Sequence, residues 1–276
     1  MTKKEINNPE NTLDSYHKLS IQVSLNGLSF CVFDTIGNTI PLSRHLDFGK
    51  ELSPYEVQKE LQELLRTHEV LNYQFSEVVV IHRNNLFSLV PKALFNKEEL
   101  PNYLKFNAKI LANDLIAFDE IDSYDIVNVY VPFVNINNFV YDLFGEFEFK
   151  HNGTVLVEAL LNTHSNGKEA ICYVHVAEKQ MDITVLSQKK LLFYNSFYFR
   201  TKEDFIYYLL FTLEQLQLDT ASVKLRLFGD IEESDEIYTF CYEYIQHLSI
   251  FIPPSTSYSV EDAENEVIDF TVINAL

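Results

Sequence analysis

Residues 19–33, LSIQVSLNGLSFCVF, hold two apolar-rich runs on either side of Asn26-Gly27. Asn-Gly favours the positive φ angles of a tight hairpin turn, so the stretch reads as two antiparallel strands. A further turn, Asp34-Thr35-Ile36-Gly37-Asn38, leads to a third strand through Ile40 and Leu42. Ser53-Pro54 then opens a helix, with Ser53 as N-cap, Pro54 in the first turn and Glu56 at the capping-box position. Its apolar residues Val57, Leu61, Leu64 and Leu65 recur at spacings of three and four, which places them on one face. Val78 to Ile81 reads as a short buried strand and Leu86 to Val90 as another. Leu94 to Phe106 reads as a helix interrupted by Pro101, Ile126 to Val131 as a strand ending at Pro132, and Asn135 to Phe144 as a helix stopped by Gly145.

The same grammar returns further along. Phe147 and Phe149 alternate with acids, and Thr154 to Leu161 reads as a helix. Ala170 to Val176, Asp182 to Leu186 and Leu191 to Phe199 read as three strands. Thr201 caps a helix whose core face is Phe205, Leu209, Leu213 and Leu216. A strand over Val223 to Phe228, a helix over Glu236 to Leu248 and a short strand over Ile250 to Ile252 follow. Twice, then, three antiparallel strands are followed by helix, strand, helix and strand. That order predicts an α/β protein with two mixed sheets, each covered by helices. The expected organisation is a flexible arm over 1–16, a first half over 17–146, a second half over 147–254 and an acidic tail over 255–276. Val267 to Val272 of that tail has room for an added edge strand.

Composition narrows the chemistry. Among 276 residues there are 40 acidic and 21 basic side chains, a formal net charge of -19. Such a surface repels phosphate backbones, and no Lys/Arg cluster offsets it, which argues against nucleic acid and anionic membranes as partners. No run of about 18 apolar residues is present to span a bilayer. Met1 to Tyr16 lacks the apolar core of a signal peptide. Cys31, Cys172 and Cys241 lie far apart in apolar runs, as expected of buried free thiols in a reducing cytoplasm. There are 7 glycines, where average usage of about 7% predicts roughly 19. Backbone can approach phosphate closely only where side chains are absent, so few nucleotide loops can be built.

The duplicated order of elements resembles the actin/Hsp70-like ATPase superfamily, whose halves are ribonuclease-H-like. Within it the chain looks most like the actin-like proteins of type IV pilus and type II secretion assembly. It is also similar to an uncharacterised Bacteroidota family of actin-like ATPases. The resemblance spans about Leu19 to Ile252 and implies where nucleotide chemistry would sit. The superfamily's first phosphate loop, an Asp-x-Gly turn, falls on Ile21-Gln22-Val23-Ser24-Leu25-Asn26-Gly27, with Gln22 in place of the acid and Ser24 in place of the first glycine. The second falls on Val174-His175-Val176-Ala177-Glu178-Lys179-Gln180-Met181-Asp182. There His175 replaces the acid, Ala177 replaces the glycine, and Asp182 fits the later Thr-Asp pair. The nucleoside turn falls on Phe228-Gly229-Asp230, with one glycine of two.

Those replacements weigh against ATP hydrolysis. Phosphate loops work through backbone N–H groups that a Cβ holds at a distance, and Mg²⁺ prefers oxygen ligands and its own waters. The expected function is therefore a non-catalytic interaction or scaffold protein, with no catalytic residues, no metal and no cofactor. Its partners would be other proteins or a second copy of itself. The alternative is an ATP-binding protein with an altered site built from Gln22, Ser24, Gly27, His175, Asp182, Gly229 and Asp230, with ATP and Mg²⁺ as cofactors.

Other candidates divide between chemistry and plain structure. The acidic run Asp230, Glu232, Glu233, Asp235, Glu236 either binds a divalent cation or is a solvated loop entering a helix whose N-terminus favours acids. Asp114, Asp119, Glu120, Asp122 and Asp125 lack ligand spacing and read as a solvated connection. The histidines form no HxxxH or HExxH pair, and no GxSxG elbow or P-loop is present. The aromatic run from Phe193 to Phe199, extended by Tyr207 and Tyr208, is either core packing or an exposed contact ladder. Its candidate interaction residues are Tyr194, Tyr198, Tyr207 and Tyr208.

Overall fold

A computed structural model describes residues 16–111, 113–164, 167–177, 179–252, 259–260 and 268–276. The expected flexible arm, apart from Tyr16, lies outside the described residues, as does most of the tail before Ile268. The chain opens with β1 (His17–Val23), β2 (Gly27–Asp34) and β3 (Thr39–Asp47), followed by α1 (Pro54–Thr67) and β4 (Phe75–His82). Next come β5 (Phe87–Pro91), α2 (Leu100–Leu104), β6 (Ala117–Ile121), β7 (Ile126–Tyr130), α3 (Val134–Phe144), β8 (Glu148–His151) and α4 (Asn152–Thr163). The second cycle holds β9 (Ile171–Ala177), β10 (Gln180–Ser187), β11 (Lys190–Tyr198), α5 (Lys202–Gln215), β12 (Lys224–Gly229), α6 (Glu236–Tyr242) and β13 (His247–Ile250). Two short pieces, β14 (Ser259–Val260) and α7 (Phe270–Asn274), follow.

The strands form two large sheets of one design. The first runs β14-β3-β2-β1-β4-β8 and the second β11-β10-β9-β12-β13. In each, the three leading strands are antiparallel and the later two join in parallel beside the first strand of the set. A third, antiparallel sheet, β5-β7-β6, is inserted between β4 and α3. β8, read from sequence with the second cycle, is the edge strand of the first sheet. Of the stretch with room for an added edge strand, Val267 lies outside the described residues and Phe270 to Val272 open α7, while the piece that joins the sheet edge is β14, parallel to β3.

Local signals explain the helix starts. Both Ser53 and Thr201 accept from the N3 backbone while Glu56 and Asp204 reach back, complete capping boxes that each contribute about 1 kcal/mol. Gly145 ends α3 at φ +79, where a Cβ would be strained. The first hairpin departs from its sequence reading: neither Asn26 nor Gly27 takes a positive φ. The turn is shaped instead by Ser24, whose Oγ accepts from the Asn26 and Gly27 amides at 3.1 and 2.8 Å. The expected helices over Leu94 to Phe106 and Glu236 to Leu248 shorten to α2 and α6.

Each large sheet packs its own helices, α1 and α3 on the first and α5 and α6 on the second. Between them runs α4, nine of whose twelve residues are buried, as a helix apolar on every side must be. Val155 packs with Cys31, Ile40, Val79 and Ile81 of the first sheet. Leu156, Leu160 and Leu161 pack with Ile171, Tyr173 and Phe228 of the second. Burial of each such side chain stabilises by about 1.5–3 kcal/mol, so one helix bonds both layers. Close approach at its start requires Gly153, because a Cβ there would sit 2.5 Å from Tyr194 Cε1. Gly153→Ala should therefore cost about 1–3 kcal/mol in urea denaturation, as overpacked cores do. An unchanged midpoint would show that the ring has room to move.

Candidate functional site

Parallel strands present their C-terminal ends as the usual ligand-facing edge of an α/β sheet. Here β1 and β4 end at Val23 and His82, and β9 and β12 end at Ala177 and Gly229. The residues that the sequence singled out gather around these ends. Gln22 lies on β1 and His175 on β9, while Asp182 lies on β10 directly opposite His175. All three are buried, as is Ser24.

Asp182 is the hub. Arg83, just past β4, reaches from the first sheet to place Nη2 2.9 Å from Asp182 Oδ2, and both side chains are almost wholly buried. Asn152 Nδ2 donates to the same oxygen at 3.4 Å, and Tyr194 OH donates to Oδ1 at 3.3 Å. His175 Nδ1 lies 3.5 Å from Oδ2. Burial by itself would raise the Asp182 carboxyl, but Arg83, His175 and Ser196 outweigh it and hold the group well below the ordinary range.

Residues 269–272 of the chain's own last segment contact both sheets here. Gln22 Nε2 donates to Asp269 Oδ2 at 3.0 Å, and Thr271 Oγ1 donates to Gln22 Oε1. Asp269 Oδ1 caps α7, accepting from the Thr271 and Val272 amides at 2.8 and 3.2 Å. Phe270 lies edge-on to Phe228, with ring centroids 5.1 Å apart, and 6.4 Å from the His175 ring. Burial would raise Asp269 as well, yet His175, Arg83 and the donors from Thr271 and Val272 keep it below its ordinary value. Val272 completes the anchor inside the cluster of Cys31, Ile40 and Val155.

The remaining candidates take other places. The two turn amides that a phosphate loop would offer, those of Asn26 and Gly27, are occupied by Ser24 Oγ. Gly229 has φ +92, and a Cβ there would meet the Val176 carbonyl at 2.1 Å, so this glycine serves the close fit of β12 to β9. Asp230 is exposed, its amide donating to Val176 O at 2.7 Å. Of the aromatic candidates, Tyr194 is buried beside Asp182 and does not belong to a surface, and Tyr208 stacks on Phe197 at 4.8 Å. Tyr198 and Tyr207 are exposed, and Tyr207 stacks on the half-exposed Phe211 at 6.1 Å. A groove of about 690 Å³ lies elsewhere, between β5 and β11, and includes Leu89, Lys190 and Leu192 in its walls.

Sequence reading missed Asp119. It is not in a solvated connection but on β6, where Oδ2 accepts from Thr154 Oγ1 at 2.6 Å and the His151 amide at 2.8 Å, and Oδ1 from Tyr130 OH at 2.9 Å. Burial outweighs those three donors and pushes its carboxyl up to about 6. The signal was there: apolar runs on both sides of Asp122-Ser123-Tyr124-Asp125, a hairpin turn with Asp125 at φ 55. Arg83 was missed too, since nothing local in Ile81-His82-Arg83-Asn84 foretells a partner 99 residues away. Among the described residues, no group of three His, Cys, Asp or Glu side chains converges to hold a metal ion. No helix among the described residues is long and apolar enough to cross a membrane.

Comparison with known proteins fits this geometry. The family described as "Protein of unknown function (DUF3822)" matches residues 7–248. The chain belongs to that family. Its fold is similar to a Bacteroides thetaiotaomicron protein with an actin-like ATPase fold and unknown function. The TM-score is 0.77 at 20% identity, and the match covers 98% of each chain. It is also similar to a chain of the PilM-PilN type IV pilus biogenesis complex, with a TM-score of 0.53, 12% identity, and coverage of 90% of this chain and 92% of that one. The fold is thus the actin-like ATPase fold, as the duplicated strand order predicted. No curated protein matches the sequence.

The buried pair gives a sharp test. Arg83→Met leaves Asp182 buried without its cation, which should cost about 3–5 kcal/mol at pH 7. The pH response should also change sign. In the native protein a depressed Asp182 contributes stability above its unfolded value of about 3.9, lost as pH falls through its folded value. Unpaired in the variant, the buried carboxyl titrates high, so the variant should gain stability as pH falls from 7 toward 5. Urea denaturation at both pH values measures this, and a variant as stable as the native chain would contradict it.

Proposed function

We propose that this protein is a non-catalytic interaction or scaffold protein built on the actin-like ATPase fold. One observation carries the reading: the cleft between the two sheets is filled from within. Asp269, Phe270 and Thr271 stand between Gln22 of the first sheet and His175 and Phe228 of the second. Phosphate binding needs free backbone donors and a positioned cation. Here two turn amides point at a serine, and the buried Arg83 pairs with Asp182. A nucleotide would have to displace a capped helix, or else set its phosphates beside the Asp269 carboxylate, a like charge.

What the fold leaves available is surface. Tyr198, Tyr207 and Phe211 are large aromatic side chains left exposed on β11 and α5, the residue types that dominate protein contacts. A chain of the same fold occurs in the PilM-PilN complex, which supports a role in holding protein partners. The net charge of -19 supports cytoplasmic solubility and disfavours nucleic acid.

Thermal melting with and without millimolar Mg-ATP tests the reading. A one-site ligand at about 100 times its Kd adds roughly 2.7 kcal/mol, a rise of several degrees. The expected result is no shift with ATP or ADP. An upward shift that disappears in Gln22→Ala would establish a nucleotide site and overturn the proposal.

A further inference from the structure

We infer, taking the cleft as closed to nucleotide as proposed above, that it is a peptide-binding site whose resident ligand is the chain's own segment 268–276. The partner that it fits carries a segment of the same chemistry: an aspartate, an aromatic residue, a threonine and an aliphatic residue in sequence, entering as a short helix. Three features of the resident segment define that chemistry.

The first is charge. Arg83, although paired with Asp182, and the His175 ring both favour an ionised Asp269 carboxylate and, with the donors from Thr271 and Val272, hold it below its ordinary value against burial. The second is a paired side-chain match. Gln22 uses its amide nitrogen on Asp269 and its amide oxygen on Thr271, so a single buried residue reads two positions of the segment. The third is apolar anchoring. Phe270, Val272 and Ala275 are buried, Phe270 against Phe228 and Val272 against Cys31, Ile40, Val79, Ile81 and Val155.

The segment behaves as a ligand because its own few hydrogen bonds are not enough to hold it as a helix. α7 has five residues, while helices shorter than about 12 residues are marginal in water. Its structure is lent by the cleft through Gln22 and by its own Asp269 cap. Such short docked elements open locally at free energies well below global unfolding, which exposes the site without unfolding the sheets. A competing partner segment would gain the same contacts and leave α7 free.

The test uses the full-length chain and a fluorescein-labelled peptide of residues 268–276, IDFTVINAL. Asp269→Ala/Phe270→Ala weakens the resident segment and should raise the affinity for added peptide at least about tenfold over the native chain. Adding Gln22→Ala to that variant should abolish the gain, and a peptide with Asn in place of its aspartate should bind weakly. Equal, undetectable anisotropy change with the native chain and the double variant would overturn the inference. Should the double variant fail to melt cooperatively, hydrogen exchange on the native chain decides. Amides of Thr271 to Asn274 should exchange through an opening much easier than that of β1 and β9; exchange only with the global core would mark α7 as a fixed part of the fold. Peptide binding together with an Mg-ATP shift that Gln22→Ala leaves intact would place nucleotide outside this cleft, so that this inference would stand while the function proposed above would fall.

Discussion

Arg83 leaves the end of β4 and reaches Asp182 on β10, so that the two sheets meet through a buried ion pair. Everything else around the cleft answers to that pair. Asn152, at the start of α4, and Tyr194, on β11, donate to its carboxylate, and Gly153 lets α4 approach Tyr194 closely enough for them to do so. A buried ion pair is weak evidence for stability, since desolvation can cancel its Coulomb gain, but removal of one partner is costly. Its effect here is to fix how the sheets face one another: α4 supplies apolar contact to both, and the pair sets their registry.

The same residues bear on the cleft's capacity for phosphate chemistry. A buried cation that could face a phosphate is committed to Asp182. Gln22 is committed to Asp269 and Thr271, and Ser24 occupies the amides of its own turn. The result is a cleft in which Gln22, Ser24 and Asp182 are engaged by the protein's own groups. The actin-like architecture survives because its sheets need only the apolar alternation and the crossover helices. On the reading proposed above the phosphate site does not, because the glycines and carboxylates that the resemblance implies are ones that core packing never requires.

The repeated strand order was legible because it is written locally. Val57, Leu61 and Leu65 mark one helix face, Ser53 and Thr201 mark two helix starts, and Gly145 marks an end. What escaped was long-range. Asp119 looks like solvent-facing acid until Tyr130, His151 and Thr154 surround it. Arg83 has no local mark of its partner. The first turn was read from Asn26-Gly27, yet Ser24 shapes it by side-chain hydrogen bonding, a competition with backbone preference that dipeptide rules do not capture. β8 fell to the wrong side of the repeat boundary because Phe147 and Phe149 fit a strand in either sheet, and only pairing with β4 decides. His175 and Asp182 face one another across β9 and β10, and Gln22 meets Asp269 and Thr271, part of a tail in which the sequence offered at most an added edge strand.

The central claim is that the C-terminal segment occupies the cleft in the free protein. A double-mutant cycle between Gln22→Ala and Asp269→Ala, read by urea denaturation of the full chain, tests it most directly. Contacting residues in one hydrogen-bond network couple by about 0.5–3 kcal/mol, and that is the predicted result. Additive single effects, with no coupling beyond error, would place Asp269 away from Gln22 and leave the cleft open.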